Sequence, residues 1–138
     1  MSKAVTLVDT GVLVALLNRK EKHHAWAVER TRSLNPPFVT CEPVLTEAFF
    51  LLSPLPGGSQ RFFEFLDSGT VDIDFPVVAE RRALWKLIYK YRDLPMSLAV
   101  ACLVRLAELN PSSSVFTLDS HFLVYRKHGR QQIPVIMP

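Results

Sequence analysis

The feature that most constrains the fold is an alternation of short apolar runs with longer segments of helical pattern. The apolar, β-branched runs at residues 4–8, 38–41 and 114–118 have the length and composition of buried strands. Amphipathic or apolar segments with helical spacing separate these runs. Because parallel strands need crossover connections of this kind, the alternation predicts a parallel sheet that helices cover on both faces.

The remaining elements fit one domain that spans residues 1–138. The Ser/Pro/Gly break at 53–59 is too short to separate two domains. Residues 71–75 alternate apolar with acidic side chains, which predicts an edge strand with one wet face. The pattern predicts a final strand at 133–137 and helices at 11–18, 22–33, 44–52, 60–67, 77–91, 98–109 and 120–127.

Composition places the chain among ordinary folded, soluble proteins. It is 49% hydrophobic and 21% charged, and no apolar run is long enough for a transmembrane helix. The first residues lack the pattern of a signal peptide. Cys41 and Cys102 stand alone in apolar segments, as reduced core cysteines do. We therefore expect a cytoplasmic protein with no membrane partner.

Positive charge is concentrated in two segments, although the net charge is only +3. Such clusters fit either solvated helix faces or a footprint for a phosphate backbone, and the sequence leaves both interpretations open. Trp26 and Trp85 stand at helical positions and are expected to be packing residues rather than a base-stacking platform. The basic residues are Arg81, Arg82, Lys86, Lys90 and Arg92 in the first segment, and Arg126, Lys127 and Arg130 in the second.

Two aspartates follow two of the predicted strands directly. Asp9 ends the first strand, and Asp119 ends the strand at 114–118. Ligands of open α/β sheets bind outside the carboxyl ends of strands, where the strand order reverses. If these two strands are neighbours at that point, both carboxylates face one crevice. Each aspartate could equally be the N-cap of the helix that follows it.

Glu47 is a third candidate acid, on the predicted helix 44–52. Its helical neighbours are apolar, so burial of its carboxylate would need a metal, a basic partner or a polar cleft. The alternative is a position at the helix rim that reaches water. Three convergent acids either retain a proton or bind a cation, and carboxylate oxygens select Mg²⁺ or Mn²⁺. Metal-dependent phosphodiester hydrolysis is one chemistry that such a cluster supports.

Several short motifs resemble those of a known family. The stretches VDTG at 8–11, LTEA at 45–48 and FTLDS at 116–120 are similar to the acidic landmarks of PIN domains. The stretch YRDLPMSLA at 91–99, followed by ACLV at 101–104, is especially similar to toxins of the VapC type. Each motif is short, but together they occur in the family's order and extend over essentially the whole chain.

This resemblance implies a three-layer α/β/α sandwich with a mostly parallel sheet. It also implies an endoribonuclease toxin of a type II toxin–antitoxin pair that uses Mg²⁺ or Mn²⁺, is inhibited by a cognate antitoxin and forms a homodimer. On this interpretation Asp9 and Asp119 hold the metal, and Glu47 orients its water or completes the coordination. Thr10 supports the site with its hydroxyl.

Val100 departs from the family pattern. It stands where the family has a metal-binding aspartate, in a pattern that ends Leu-Ala-Asp-Ala. The valine is consistent with an inactive member of the family, and equally with a substitution that allows a toxic enzyme to be produced. Asp93, seven residues earlier, could partly replace the missing carboxylate or be a solvated loop residue or cap.

Two other classes of protein compete with a nuclease. The first is a PIN-like module without catalytic activity that binds an antitoxin or RNA, and Val100 favours it. The second is a signalling receiver domain, which needs paired acids after the first strand and a lysine after the last. Asp9 is followed by Thr10 and Gly11, and no lysine follows Ile133, so the receiver interpretation fits poorly.

Overall fold

A five-stranded parallel sheet forms the centre of the protein. The structure, a computed structural model, describes residues 4–94 and 96–138. The sheet has the strand order β3-β2-β1-β4-β7, and β5 and β6 form a separate antiparallel hairpin. The strands are β1 (Val5–Val8), β2 (Phe38–Thr40), β3 (Val71–Ile73), β4 (Ser113–Phe116), β5 (Arg126–Lys127), β6 (Gln131–Gln132) and β7 (Val135–Ile136).

Helices connect and cover these strands, and the predicted three-layer α/β/α sandwich is confirmed. A short 3₁₀ helix at Ser120–Leu123 follows β4. No helix in the described part of the chain combines the length and the apolar character that a membrane crossing requires. The α-helices are α1 (Thr10–Leu17), α2 (His24–Ser33), α3 (Glu42–Leu52), α4 (Gly58–Asp67), α5 (Arg81–Lys90) and α6 (Leu98–Leu109).

The strand order reverses between β1 and β4. From β1 the chain adds β2 and β3 on one side, then returns to add β4 and β7 on the other. β1 and β4 pair in parallel, with Val8 opposite Phe116. The assumed adjacency of these two strands is therefore correct, and the residues that follow them lie at one crevice.

Helix α6 is the most buried helix of the fold, as its apolar sequence predicted. Its residues 99–104 are all buried. The one arginine on this helix, Arg105, lies 2.8 Å from Glu80 and 3.2 Å from Glu108, so its charge is paired near the surface. The burial of residues 99–104 fixes the first turn of α6 beside the carboxyl end of the sheet.

Two predicted elements differ from the structure. The helix expected at 120–127 is only a 3₁₀ turn, and the segment continues into the β5–β6 hairpin, which the sequence analysis missed. His128 and Gly129 both have positive φ, which turns the chain back after β5. The helix expected at 77–91 begins at Arg81, because residues 77–80 form turns.

We expect Phe116→Ala to lower the free energy of unfolding by about 3–5 kcal/mol. The Phe116 ring is fully buried at the end of β4, with its centroid 5.3 Å from that of Trp26 and 6.2 Å from that of Phe38. Urea denaturation measures the loss. The control Leu123→Ala removes an exposed side chain and should change stability by less than about 0.5 kcal/mol. Equal losses in both variants would contradict this account of the core.

Candidate active site

Asp9 lies at the carboxyl end of β1 and is only 7% exposed. It is the N-cap of α1, where its Oδ1 accepts a hydrogen bond of 2.8 Å from the Thr10 amide. Its Oδ2 accepts a second bond of 2.7 Å from the Thr117 hydroxyl. Both carboxylate oxygens are thus held in place by the backbone of α1 and the end of β4.

Thr117 bridges the two aspartates and was assigned no role by the sequence analysis. Its buried hydroxyl donates to Asp9 and accepts a 2.9 Å bond from the Asp119 amide. The sequence does show Thr117 as a residue with a hydroxyl group between the buried strand and Asp119. Its partner could not be read from the sequence, because Asp9 is 108 residues away along the chain.

Asp119 caps the 3₁₀ helix that follows β4. Its Oδ1 accepts a 2.9 Å bond from the His121 amide and lies 3.0 Å from His121 Nδ1. The sequence analysis offered capping as the alternative to a shared crevice for both aspartates. The structure shows that both caps exist, and the Thr117 bridge also brings the two residues together.

Glu47 is exposed on α3, which is the rim position that the sequence analysis left open beside a buried one. The helix turns Val44, Ala48 and Leu52 into the core instead, which leaves Glu47 at the rim. Its Oε2 accepts a 3.0 Å bond from the Thr10 hydroxyl. Thr10 therefore contacts two of the predicted site residues: its amide contacts Asp9 and its hydroxyl contacts Glu47.

The three acids affect one another electrostatically. Burial is the main cause that raises the pKa of Asp9, and the hydrogen bonds from Thr117 and Thr10 oppose it. The negative charges of Asp119 and Glu47 raise the Asp9 pKa further. Within residues 4–94 and 96–138, however, no three His, Cys, Asp or Glu side chains are arranged so that they could hold a metal ion. The metal site therefore stays a prediction.

The first turn of α6 lies beside this crevice and carries Val100. Ser97 caps the helix, as predicted, and its hydroxyl accepts a 3.1 Å bond from the Val100 amide. The Val100 side chain is 8% exposed. The Ala99 carbonyl lies 4.0 Å from the Cys41 thiol, whose pKa is raised chiefly by its hydrogen bond with Cys102 and by burial. A smaller contribution to this pKa comes from the negative charge of Asp9.

Two other predictions concern this region. Cys41 and Cys102 are free and buried, as expected of core cysteines. Asp93 is exposed in the loop after α5. In the described residues, no hydrogen bond links Asp93 to the three acids, and its charge is not among the causes of the raised Asp9 pKa.

Comparison with known proteins identifies the class of this fold and site. The family model of the PIN domain matches residues 6–127, so the chain belongs to the PIN domain family. The fold is similar to that in the crystal structure of VapC20 of Mycobacterium tuberculosis, a sarcin–ricin loop cleaving toxin. The TM-score is 0.70 at 19% sequence identity, and the match covers 83% of this chain and 89% of VapC20. The search of curated proteins gave no match.

We expect Asp9→Asn to raise the free energy of unfolding at neutral pH when divalent ions are chelated. The Asp9 pKa is raised in the folded chain, so the folded state keeps this proton to a higher pH than the unfolded state. The free energy of unfolding therefore falls as the pH rises from the Asp9 pKa of the unfolded chain to the Asp9 pKa of the folded chain. At higher pH it stays at the lower value. Asparagine can still cap α1 but cannot ionise.

Urea titrations between about pH 4 and pH 8 test this expectation. The exposed carboxylate of Asp67 provides the control, because Asp67→Asn removes one negative charge far from any buried site. A pH profile of Asp9→Asn parallel to that of the original chain would contradict the raised pKa.

Proposed function

We propose that this protein is an endoribonuclease toxin of the VapC type, the toxic half of a type II toxin–antitoxin pair. It would hydrolyse phosphodiester bonds of RNA in the cytoplasm with the help of Mg²⁺ or Mn²⁺. Membership of the PIN domain family and the fold shared with VapC20 support this class. The observation that carries the proposal is the buried Asp9 carboxylate, tied through Thr117 to Asp119 at the point where the strand order reverses.

The donor set suits a hard divalent cation. Asp9 and Asp119 would offer carboxylate oxygens to such an ion. Glu47 is not arranged with them as a ready metal site among the described residues, and it would have to complete the set from α3 or orient a water. The raised pKa of Asp9 reflects burial and two neighbouring negative charges, and a cation would relieve both. When bound, such an ion supplies water activation and charge stabilisation at the scissile phosphate.

The protein's own groups would hold this site in a fixed geometry. Thr117 fixes one oxygen of Asp9, and the Thr10 amide fixes the other. The Thr10 hydroxyl holds Glu47 near α1. His121 Nδ1 lies 3.0 Å from Asp119 Oδ1, so the imidazole would help to hold that carboxylate in place.

A cognate antitoxin is the protein partner that we propose. A groove beside the acids is lined by Thr10, Thr46, Glu47, Phe50 and Leu51. Phe50 and Leu51 are exposed, which is unusual for large apolar side chains next to a polar cleft. An apolar antitoxin segment in this groove would cover Glu47 and block access to the acids. The homodimer that the family resemblance implied is part of the same proposal.

A catalytically inactive binding module is the second candidate. The buried Val100 favours it, because the first turn of α6 offers no side-chain oxygen at this position. In this case the fold would still bind RNA or an antitoxin, and cleavage would be absent.

We expect the chain to cleave RNA in Mg²⁺ or Mn²⁺, and Asp9→Asn or Asp119→Asn to slow cleavage on the order of 100-fold or more. Loss of a metal-binding oxygen removes several kcal/mol of charge stabilisation in the transition state. Gel assays with several labelled RNAs and both metals measure the rates. Asp67→Asn is the control for the loss of one surface carboxylate and should cleave like the original chain. Cleavage that survives in all variants would indicate a contaminating nuclease.

We expect Val100→Asp to strengthen Mn²⁺ binding and increase cleavage. Position 100 is the third residue of α6, where the helix N-terminus favours a negative charge and the side chain leans towards the mouth of the sheet. The added oxygen should enlarge the rise of the melting temperature in Mn²⁺, which is measured without any substrate.

Two variants control this experiment. Val100→Asn adds polarity without charge and should give a smaller response to Mn²⁺. Val100→Asp combined with Asp9→Ala should lose the gain in cleavage. Equal, Asp9-dependent cleavage by the original chain would show that Val100 is not a defect, and no cleavage by either chain would favour the binding module.

A further inference from the structure

The outer face of α5 carries two large aromatic side chains that the core does not cover. Trp85 is 63% exposed and Tyr89 is 54% exposed. Their ring centroids lie 5.8 Å apart, at an interplanar angle of 48°. The expectation that both tryptophans are packing residues is therefore wrong for Trp85, whereas Trp26 does pack against Phe116. Helical spacing made Trp85 look like a packing residue, but Leu84 and Leu87 form the buried face of α5.

Cations border these rings on both sides. The Arg92 guanidinium lies 4.3 Å from the centroid of the Tyr89 ring and donates a 2.8 Å bond to the Tyr89 carbonyl. Arg81 stands four residues before Trp85 in the same row, and a neighbouring row holds Arg82, Lys86 and Lys90. Arg81, Arg82, Lys86, Lys90 and Arg92 are all exposed.

This face holds more than the whole net positive charge of the protein. Residues 81–92 contain five basic and no acidic side chains. The chain has 16 basic residues, so 11 remain against all 13 acidic ones, and the formal charge outside this segment is −2. The exposed apolar surface at Phe50 and Leu51 adjoins the acidic Glu47 instead. The α5 face, in contrast, combines two exposed aromatic rings with a local excess of positive charge.

We propose that the α5 face binds single-stranded RNA, with bases stacked on Trp85 and Tyr89 and phosphates held by the surrounding cations. The proposal rests on the proposed function and extends it, since it states how the RNA substrate is held. Stacking suits unpaired bases of any sequence, because each base has a π face, and the cations match the charged backbone. A protein partner would not require two exposed neighbouring rings and five exposed cations together.

Packing contacts join the inward side of α5 to the segment that carries Asp119. The Tyr91 hydroxyl at the end of α5 accepts a 2.9 Å bond from the Arg126 amide, and its ring lies 5.0 Å from that of Tyr125. The Tyr125 amide donates a 3.1 Å bond to the carbonyl of His121, whose Nδ1 contacts Asp119. These contacts anchor the end of α5 to the segment that carries Asp119, so the proposed RNA face and the acids belong to one packed unit.

RNA binding without metal tests the proposal apart from catalysis. The probe is a fluorescein-labelled single-stranded oligouridylate of about ten nucleotides, titrated in EDTA and followed by anisotropy. Trp85→Ala and Tyr89→Ala should each weaken binding by about tenfold. Phe63→Ala removes an exposed aromatic side chain of α4 and should leave the affinity unchanged. Because all three positions are exposed, thermal melts should show folded proteins.

The salt dependence tests the cations. Arg82→Gln combined with Lys86→Gln should reduce the slope of log affinity against log salt by about 1.4, because each lost phosphate contact with a single strand contributes about 0.7. Arg19→Gln combined with Lys20→Gln removes the same charge from the loop after α1 and should leave the slope unchanged. Equal effects of both double variants would overturn the proposal in favour of diffuse charge attraction.

The fluorescence of Trp85 reports stacking directly. Trp26→Phe leaves Trp85 as the only tryptophan, since the chain has two. The oligouridylate should quench this emission, whereas heparin, a polyanion without bases, should bind without such quenching. Quenching of the same size by both polyanions would contradict base stacking.

The outcomes separate this proposal from the proposed function. If Trp85→Ala and Tyr89→Ala bind RNA like the original chain while RNA is still cleaved, the proposed RNA-binding role of the α5 face is wrong. The proposed nuclease function would not be affected by this result. If RNA binding depends on Trp85 but the chain cleaves no RNA, the RNA-binding role of the α5 face is supported and the proposed nuclease function is wrong. Absence of RNA binding in EDTA would also contradict the RNA-binding role of the α5 face. The same holds if the Trp85 and Tyr89 variants alter only self-association or antitoxin binding.

Discussion

The parallel pairing of β1 with β4 is the constraint on which the site depends. These strands are the neighbours between which the sheet changes direction, so the residues that follow them meet at one crevice. The buried hydroxyl of Thr117 then joins Asp9 to the backbone of Asp119. Without this pairing, the two aspartates would be ordinary caps of two unrelated helices.

Much of the fold and part of the site followed from local pattern. Asp9 and Asp119 could be placed because each ends a short buried strand, and the alternation of elements indicated that those strands are parallel. The sequence left the placement of Glu47 undecided, because its apolar neighbours include exposed Phe50 and Leu51 as well as buried Val44. Helical spacing shows which residues share a face, but not whether another element covers that face.

The errors in the fold and the site have two physical origins. The strands of the β5–β6 hairpin have two residues each and carry polar or charged side chains, so they show no alternation of apolar residues. Trp85 was expected to be a packing residue because it stands at a helical position, yet α5 turns Leu84 and Leu87 inward. Thr117 stayed without a role because its acceptor belongs to the other end of the chain. The Trp85 and Thr117 errors thus concern tertiary contacts that no local window of sequence contains, whereas the hairpin is local and lacks an apolar pattern.

The distance in sequence between Asp9 and Thr117 has a consequence for synthesis of the protein. The hydroxyl that fixes Asp9 belongs to a residue 108 positions later, and Asp119 comes two positions after that. A growing chain on the ribosome therefore carries Asp9 and Glu47 long before β4 exists to pair with β1. The bond from Thr117 to Asp9 forms only after residue 117 has been translated, so translation products that end before this residue lack the contact however well their first helices fold.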